Sequence, residues 1–159
     1  MQRLMARKRG GFSLLELVIV VVILGIIAAI AIPRMSRGSE GAADSALKGN
    51  LAVLRNAIDL FIAEHDGVVP TVANIGSALT MYSDKAGTAF SATKDTTHYF
   101  GPYIRSIPSL SVGAKKGNSG IAIADGTGVG WIYNATSGAI SANCTALEKD
   151  VTGTAYISY

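Results

Sequence analysis

The residue whose type and position most demand a chemical explanation is Glu16. Between positions 12 and 32 only Ser13 and Glu16 carry polar side chains, and Leu17 to Ile32 is an unbroken apolar run. As a helix, residues 12–32 would extend about 31 Å, matching a bilayer's hydrocarbon core of about 30 Å. A carboxylate at the centre of such a helix costs about 2.5–3.5 kcal/mol, and less towards the interface. Ion pairing gives that group a use. If the chain is cut after Gly11, Phe12 acquires a free amine four residues before Glu16. In a stack of parallel helices, the amine of an incoming copy can then meet the carboxylate of a neighbour already in place. At about 4 Å and an effective dielectric near 20, the pair gains about 4 kcal/mol before desolvation is counted. Glu16 would then set the axial register of a polymer.

Three processing schemes fit the segment. A secretory signal peptide would use the A-x-A-like site Ala29-Ile30-Ala31 and release a soluble protein beginning at Ile32. A plain membrane anchor would keep the run uncut. The third scheme cuts before the apolar run and retains it. Neither of the first two has a use for Glu16.

The other reactive side chains carry weaker signals. Cys144 is the only cysteine, which excludes an intramolecular disulfide, and it reads as a small half-buried residue rather than a nucleophile. His65 reads as a helix-end residue, and neither histidine has a metal-ligand neighbour at helical spacing. Gly126-Thr127-Gly128-Val129-Gly130 has the glycine spacing of a phosphate loop, but no basic residue or helix follows, so it reads as a turn. There is no nucleophile elbow and no metal-ligand cluster. No catalytic residue, metal site or cofactor is expected, and the chain reads as a non-enzyme.

Composition places these groups in two regions. The chain has 159 residues, 49% of them hydrophobic and only 16% charged, with a mean hydropathy of +0.36. Much of that excess lies in the run above. The formal charge of +3 owes much to Arg3, Arg7, Lys8 and Arg9; without them the balance is 10 basic to 11 acidic residues. Lys115-Lys116 is the only adjacent basic pair beyond the leader, which argues against nucleic acid as a main partner. The basic leader would stay cytoplasmic and the bulk of the chain would lie outside.

Gly11-Phe12-Ser13-Leu14-Leu15-Glu16-Leu17, after a short basic leader and before an apolar stretch, resembles the prepilin cleavage and methylation motif. That motif is shared by type IV pilins and type II secretion pseudopilins. The resemblance implies cleavage between Gly11 and Phe12 by a prepilin peptidase, N-methylation of Phe12, and the assembly role of Glu16. Pro33 matches a proline common in the family at that place. The stretch from Leu54 to Phe61 with Glu64-His65-Asp66-Gly67 and Pro70, and the segment Gly101-Pro102-Tyr103, are similar to pseudopilin-type heads. The implied fold is α+β, a long, partly transmembrane helix on a small antiparallel sheet. The implied partners are copies of the chain, related minor pilins or pseudopilins, the peptidase and an inner-membrane assembly platform. The implied location is the bacterial inner membrane as a single pass with a periplasmic head, then an extracytoplasmic filament. Major pseudopilins bind calcium near the C-terminus, but Asp125, Glu148 and Asp150 lack the dense oxygen-ligand spacing this needs, so no calcium site is expected.

The expected layout is a removed leader (1–11), a transmembrane polymerisation helix (12–33), an amphipathic helix (34–67) and a globular head (68–159). Pro33 removes a backbone donor and, followed by Gly38, Gly41 and Gly49, should bend or loosen the spine, or else end one helix before a second begins near Ser39. Leu47, Leu51, Leu54, Ile58 and Phe61 form an apolar stripe, with Gly67 as its stop. In the head, Val72–Tyr82 has a short helical pattern and residues 83–98 read as a loop. Strands are expected at Gly120–Ala124, Val129–Asn134, Ala139–Ala142 and, as a possible fourth, Ala155–Tyr159, with a hairpin turning near Gly138. A compact head without a cysteine pair favours a secretion pseudopilin. The alternatives are a type IV pilin for adhesion, motility or DNA uptake and, in other classes, a secreted binding module or a hydrolase.

Overall fold

The computed structural model describes residues 11–159, so the leader cations Arg3, Arg7, Lys8 and Arg9 lie outside the described residues. The chain forms two compact units, one ending at Gly38 and one from Ser39 to Tyr159.

Helix α1 spans Leu14–Glu64, with Pro33, Gly38, Gly41 and Gly49 inside its bounds. One helix therefore stands where two were an alternative, because its neighbours on either side are strong helix formers. The helix ends as its sequence asks. Asp66 and Gly67 both take the left-handed conformation, φ 52° and 86°, and the Gly67 amide donates to the Ile62 carbonyl at 2.9 Å. Aspartate and glycine tolerate that conformation, and this bond, spanning five residues, closes the last turn.

In the second unit the apolar stripe forms one wall of the core. Leu47, Leu51, Leu54, Ile58 and Phe61 are all 1% exposed or less. Leu47, Leu51, Leu54 and Ile58 belong to one buried cluster with Ile75 and Leu79 of α2 (Ile75–Thr80), Leu110 and the inner face of a sheet. Each such side chain contributes about 1.5–3 kcal/mol of burial. The first ribbon pairs β1 (Tyr82–Ser83) with β2 (Phe90–Ser91), antiparallel, where the end of a short helix and a loop from residue 83 were expected. The main sheet has order β3 (Gly120–Ala122), β4 (Val129–Tyr133), β5 (Ile140–Ala142). The expected hairpin is present: β4 and β5 pair antiparallel, with Trp131 opposite Ala142 and Tyr133 opposite Ile140. Trp131 and Tyr133 point into the core, and their polar tips donate to the Pro108 and Pro70 carbonyls at 2.8 and 2.9 Å.

Strand β3 joins β4 in parallel rather than antiparallel fashion. Strands this short, about 10 Å, let a compact loop through Gly126 and Gly128 carry the chain back. The close approach depends on glycine: a Cβ at Gly130 would lie 2.1 Å from the Asn118 carbonyl oxygen, and one at Gly120 would lie 2.6 Å from that of Gly128.

The segment expected as a possible fourth strand keeps only an isolated antiparallel bridge, Ala155 with Lys149, and then turns as a 3-10 helix, η1 (Tyr156–Ser158), that side chains also tie down. The Tyr156 hydroxyl donates to buried Asp44 at 2.6 Å, and the Tyr159 hydroxyl donates to Asp150. Asp44 also accepts the Val151 amide at 3.1 Å. Arg55 spans the gap beside β5, donating to the Ile140 carbonyl at 3.2 Å and the Tyr159 main-chain oxygen at 2.5 Å. A guanidinium thus stands where another strand would pair.

His65 is a core residue, 1% exposed, stacked on Phe61 at 4.0 Å between ring centroids. Its Nδ1 lies 2.7 Å from the Phe61 carbonyl oxygen, which only accepts, so Nδ1 carries the proton. Nε2 then accepts from Ser83 Oγ at 3.0 Å, and Ser83 is fully buried. This pair pins the β1 ribbon to the end of α1.

Two predictions follow from these ties, both read on the full chain in detergent by the fluorescence of Trp131, the only tryptophan. His65→Leu should destabilise the head by about 1–3 kcal/mol, because it strands a buried hydroxyl. Adding Ser83→Ala should recover part of the loss, and strict additivity of the two would contradict the pairing. The second concerns acid. The Tyr159 hydroxyl, then Thr152, hold the Asp150 carboxyl well below the usual carboxylate range. A depressed folded value stabilises above the ordinary aspartate range and loses that stabilisation as pH falls through it and below. The wild-type denaturation midpoint should therefore fall on acidification below about pH 5, with a flatter profile for Asp150→Asn; parallel profiles would contradict the tie.

Candidate functional site

The start of α1 is built by two side chains. Ser13 precedes the first helical residue, and its hydroxyl oxygen accepts the Leu15 amide at 3.3 Å. Glu16, three residues on, reaches back so that its Oε2 accepts the Ser13 amide at 2.9 Å. This is a capping box, in which residues at the cap and at the third helical position each satisfy a backbone donor that the helix cannot. A negative group here also faces the positive end of the helix dipole. Sequence reasoning assigned Glu16 a partner in another copy and missed this local one, although the Ser-x-x-Glu spacing was there to read.

Glu16 therefore has a defined place when the chain is alone. One carboxylate oxygen is engaged by the main chain, and the side chain remains exposed, as do Phe12 and Ser13. Gly11 and Phe12 precede the helix without regular secondary structure, with Phe12 83% exposed. The bond between them is thus accessible and outside the helical hydrogen-bond ladder.

From Leu14 to Ala31 the helix has a mean hydropathy of 3.1, and none of that window is buried within the chain. The segment is long and apolar enough to cross a membrane. Leu14, Leu17, Ile19, Val20, Ile23, Leu24 and Ile27 lie all around the helix and are exposed. A helix apolar on every side needs an apolar surrounding, either lipid or other helices.

The head supplies no competing chemistry among the described residues. No group of three or more His, Cys, Asp or Glu is placed to hold a metal ion. The three acids nearest a calcium-like position have protein partners. Asp125 accepts from the Asn143 amide at 2.8 Å and pairs with Lys115 at 2.9 Å, which together lower its pKa. Glu148 accepts the Thr145 and Ala114 amides at 2.6 and 2.5 Å. Asp150 accepts from Thr152, Thr154 and Tyr159. Cys144 is partly buried, and burial, followed by the charge of Glu148, pushes its thiol up to about 11. It stays protonated near neutral pH and is a poor nucleophile. His98 pairs with Asp95 at 2.9 Å in an exposed loop, where the His98 amide and the Thr97 hydroxyl also bind the carboxylate.

Comparison with known proteins points to the same segment. Residues 6–32 match the family described as the prokaryotic N-terminal methylation motif. The chain is 38% identical over 65 residues to type II secretion system core protein G of Vibrio cholerae, covering 41% of this chain and 44% of that one. It is 41% identical over 71 residues to the type IV major pilin protein PilA of Myxococcus xanthus, covering 45% and 32% respectively. A prepilin peptidase-dependent protein A of Clostridium perfringens is 34% identical over 68 residues, covering 43% and 48%. These matches span less than half the length of each of these curated relatives. No solved structure matches the chain. The methylation motif and the region shared with these relatives make the N-terminal part of the chain similar to pilins and pseudopilins and support a place in that family.

Proposed function

We propose that the chain is a structural subunit of a type IV pilus-like filament, and most specifically a pseudopilin of a type II secretion system. It enters the bacterial inner membrane with its basic leader cytoplasmic and its head periplasmic. A prepilin peptidase cuts between Gly11 and Phe12 and methylates the new amine. An inner-membrane assembly platform then moves the subunit into a fibre whose centre is built from the apolar helices. The observation that carries the reading is one carboxylate, Glu16, at the head of an otherwise apolar helix and four residues from Phe12. Pro33, which cannot donate to the Ala29 carbonyl, is where the spine yields during that transfer.

The capping box refines how Glu16 works. Before assembly it accepts the Ser13 amide, which satisfies one lone pair and steadies the helix start. The carboxylate's other oxygen and its full charge stay available to the amine of an adjoining copy. Registry and helix capping thus share one side chain. Repeated matches to core protein G from several bacteria favour the secretion reading. The match to a major pilin supports a type IV pilin as the second reading.

Two substitutions separate the roles. Gln serves a capping box as well as Glu does but carries no charge. Glu16→Gln should keep the helix start while reducing filament yield about tenfold or more, whereas Glu16→Leu should lose both. Filaments counted by electron microscopy, with helix-start protection read by amide exchange in detergent, distinguish the two. Undiminished filaments from Glu16→Gln would overturn the charge role. Sequencing the mature chain should return N-methylphenylalanine at position 12, and a start at Ile32 would point instead to a secreted protein. Deletion of the gene should abolish protein secretion if the subunit is a pseudopilin and surface fibres if it is a pilin.

A further inference from the structure

The head carries a knob and a hollow at different levels along α1. The knob is the loop after β5. Leu147 there is 89% exposed and Val151 58% exposed, although the backbone around them is firmly held. Glu148 accepts the Thr145 and Ala114 amides, and the Val151 amide donates to Asp44 of α1. Ser111, close by in the supporting loop, donates to the Ala43 carbonyl at 2.8 Å. Two apolar side chains are therefore presented to solvent on a braced loop at the level of residues 43–44, where a free surface would favour polar ones.

The hollow lies further along. It encloses about 550 Å3 beside the turn of the β4–β5 hairpin and is lined by Arg55, Ile123, Ile132, Ile140 and Tyr159. Ile123 is 70% exposed at its rim. Arg55 uses one guanidinium nitrogen for the Ile140 and Tyr159 oxygens. The hollow thus combines apolar walls with a permanent cation. The knob offers the complement, apolar Leu147 followed by Glu148, whose carboxyl is held below its usual range chiefly by the Thr145 and Ala114 amides. From Asp44 to Arg55 is about 17 Å of helix.

We propose that in the filament the Leu147 knob of one subunit seats in the Arg55–Ile123 hollow of another copy. The inference rests on the filament reading above. Two unlike patches that engage different neighbours make a head-to-tail contact, and a contact of that kind that does not close into a ring generates a helical fibre. Their offset along α1 suits subunits stacked in parallel along the helix direction, with the knob beside Asp44 of one at the hollow beside Arg55 of the next. The burial of Leu147 and Val151 against Ile123 and Ile132 supplies attraction between heads, and Glu148 facing Arg55 selects the orientation.

The test uses the full chain carrying Cys144→Ser with Leu147→Cys and Ile123→Cys. Assembled filaments, treated with a short bis-maleimide, should give a ladder of cross-linked multimers. Each single-cysteine variant, and the double variant held monomeric in detergent, should give none. Independently, Leu147→Asp should lower filament yield about tenfold or more with an unchanged melting temperature, since the side chain is exposed. Normal filament yield from Leu147→Asp, together with no ladder from the double-cysteine filaments, would overturn the contact while leaving the filament reading intact. Absence of filaments from the wild-type chain would overturn both.

Discussion

The arrangement depends on a single carboxylate that an apolar helix has no internal reason to hold. Around Glu16 the chain offers only hydrocarbon and the main chain of its own first turn. The capping geometry explains how the group is tolerated in an isolated subunit: it replaces water at one backbone donor and meets the positive end of the helix dipole. It does not neutralise the charge. A helix start of this kind tolerates solvent or an interface, and in the proposed function the free amine of a processed neighbour is the cation that meets it. The same two groups, four residues apart along the chain, are too close to the helix end for much else.

The head solves a different problem. A sheet of three short strands has exposed edges and little area, so much of its stability comes from the stripe of α1 that covers one face. Edge and terminal segments are then held by side chains reaching across, not by additional strands. Arg55 links β5 to the chain end, Asp44 and Asp150 take the two tyrosine hydroxyls, and His65 with Ser83 fastens the β1 ribbon. Most of these ties start from α1, which makes that helix both the wall of the core and the frame that orients the loops. The apolar knob and the hollow are what remain exposed once these ties are made.

Much of this was legible in the sequence, for identifiable reasons. The apolar run, the stripe from Leu47 to Phe61 and the hairpin around Gly138 are local patterns whose period fixes their structure. The Gly11-to-Leu17 motif was legible because its glycine, phenylalanine and glutamate occur together at the edge of that run, and it lies within the residues 6–32 that match the methylation-motif family. What escaped was non-local. The burial of His65, the bridging by Arg55 and the 3-10 turn at Tyr156–Ser158 each depend on residues far apart in the chain. No window of sequence contains both partners. The capping box is the exception: Ser13 and Glu16 lie within four residues, and their spacing states the role directly.

The central claim is that the Glu16 carboxylate of one subunit meets the Phe12 amine of another. Filaments assembled from an equal mixture of subunits, half with 15N-labelled phenylalanine and half with 13C-labelled glutamate, isolate that contact by solid-state NMR. The account predicts a close dipolar coupling, about 4 Å, between the Phe12 nitrogen and the Glu16 carboxyl carbon across subunits. Filaments in which the two labels show no intersubunit coupling would contradict it.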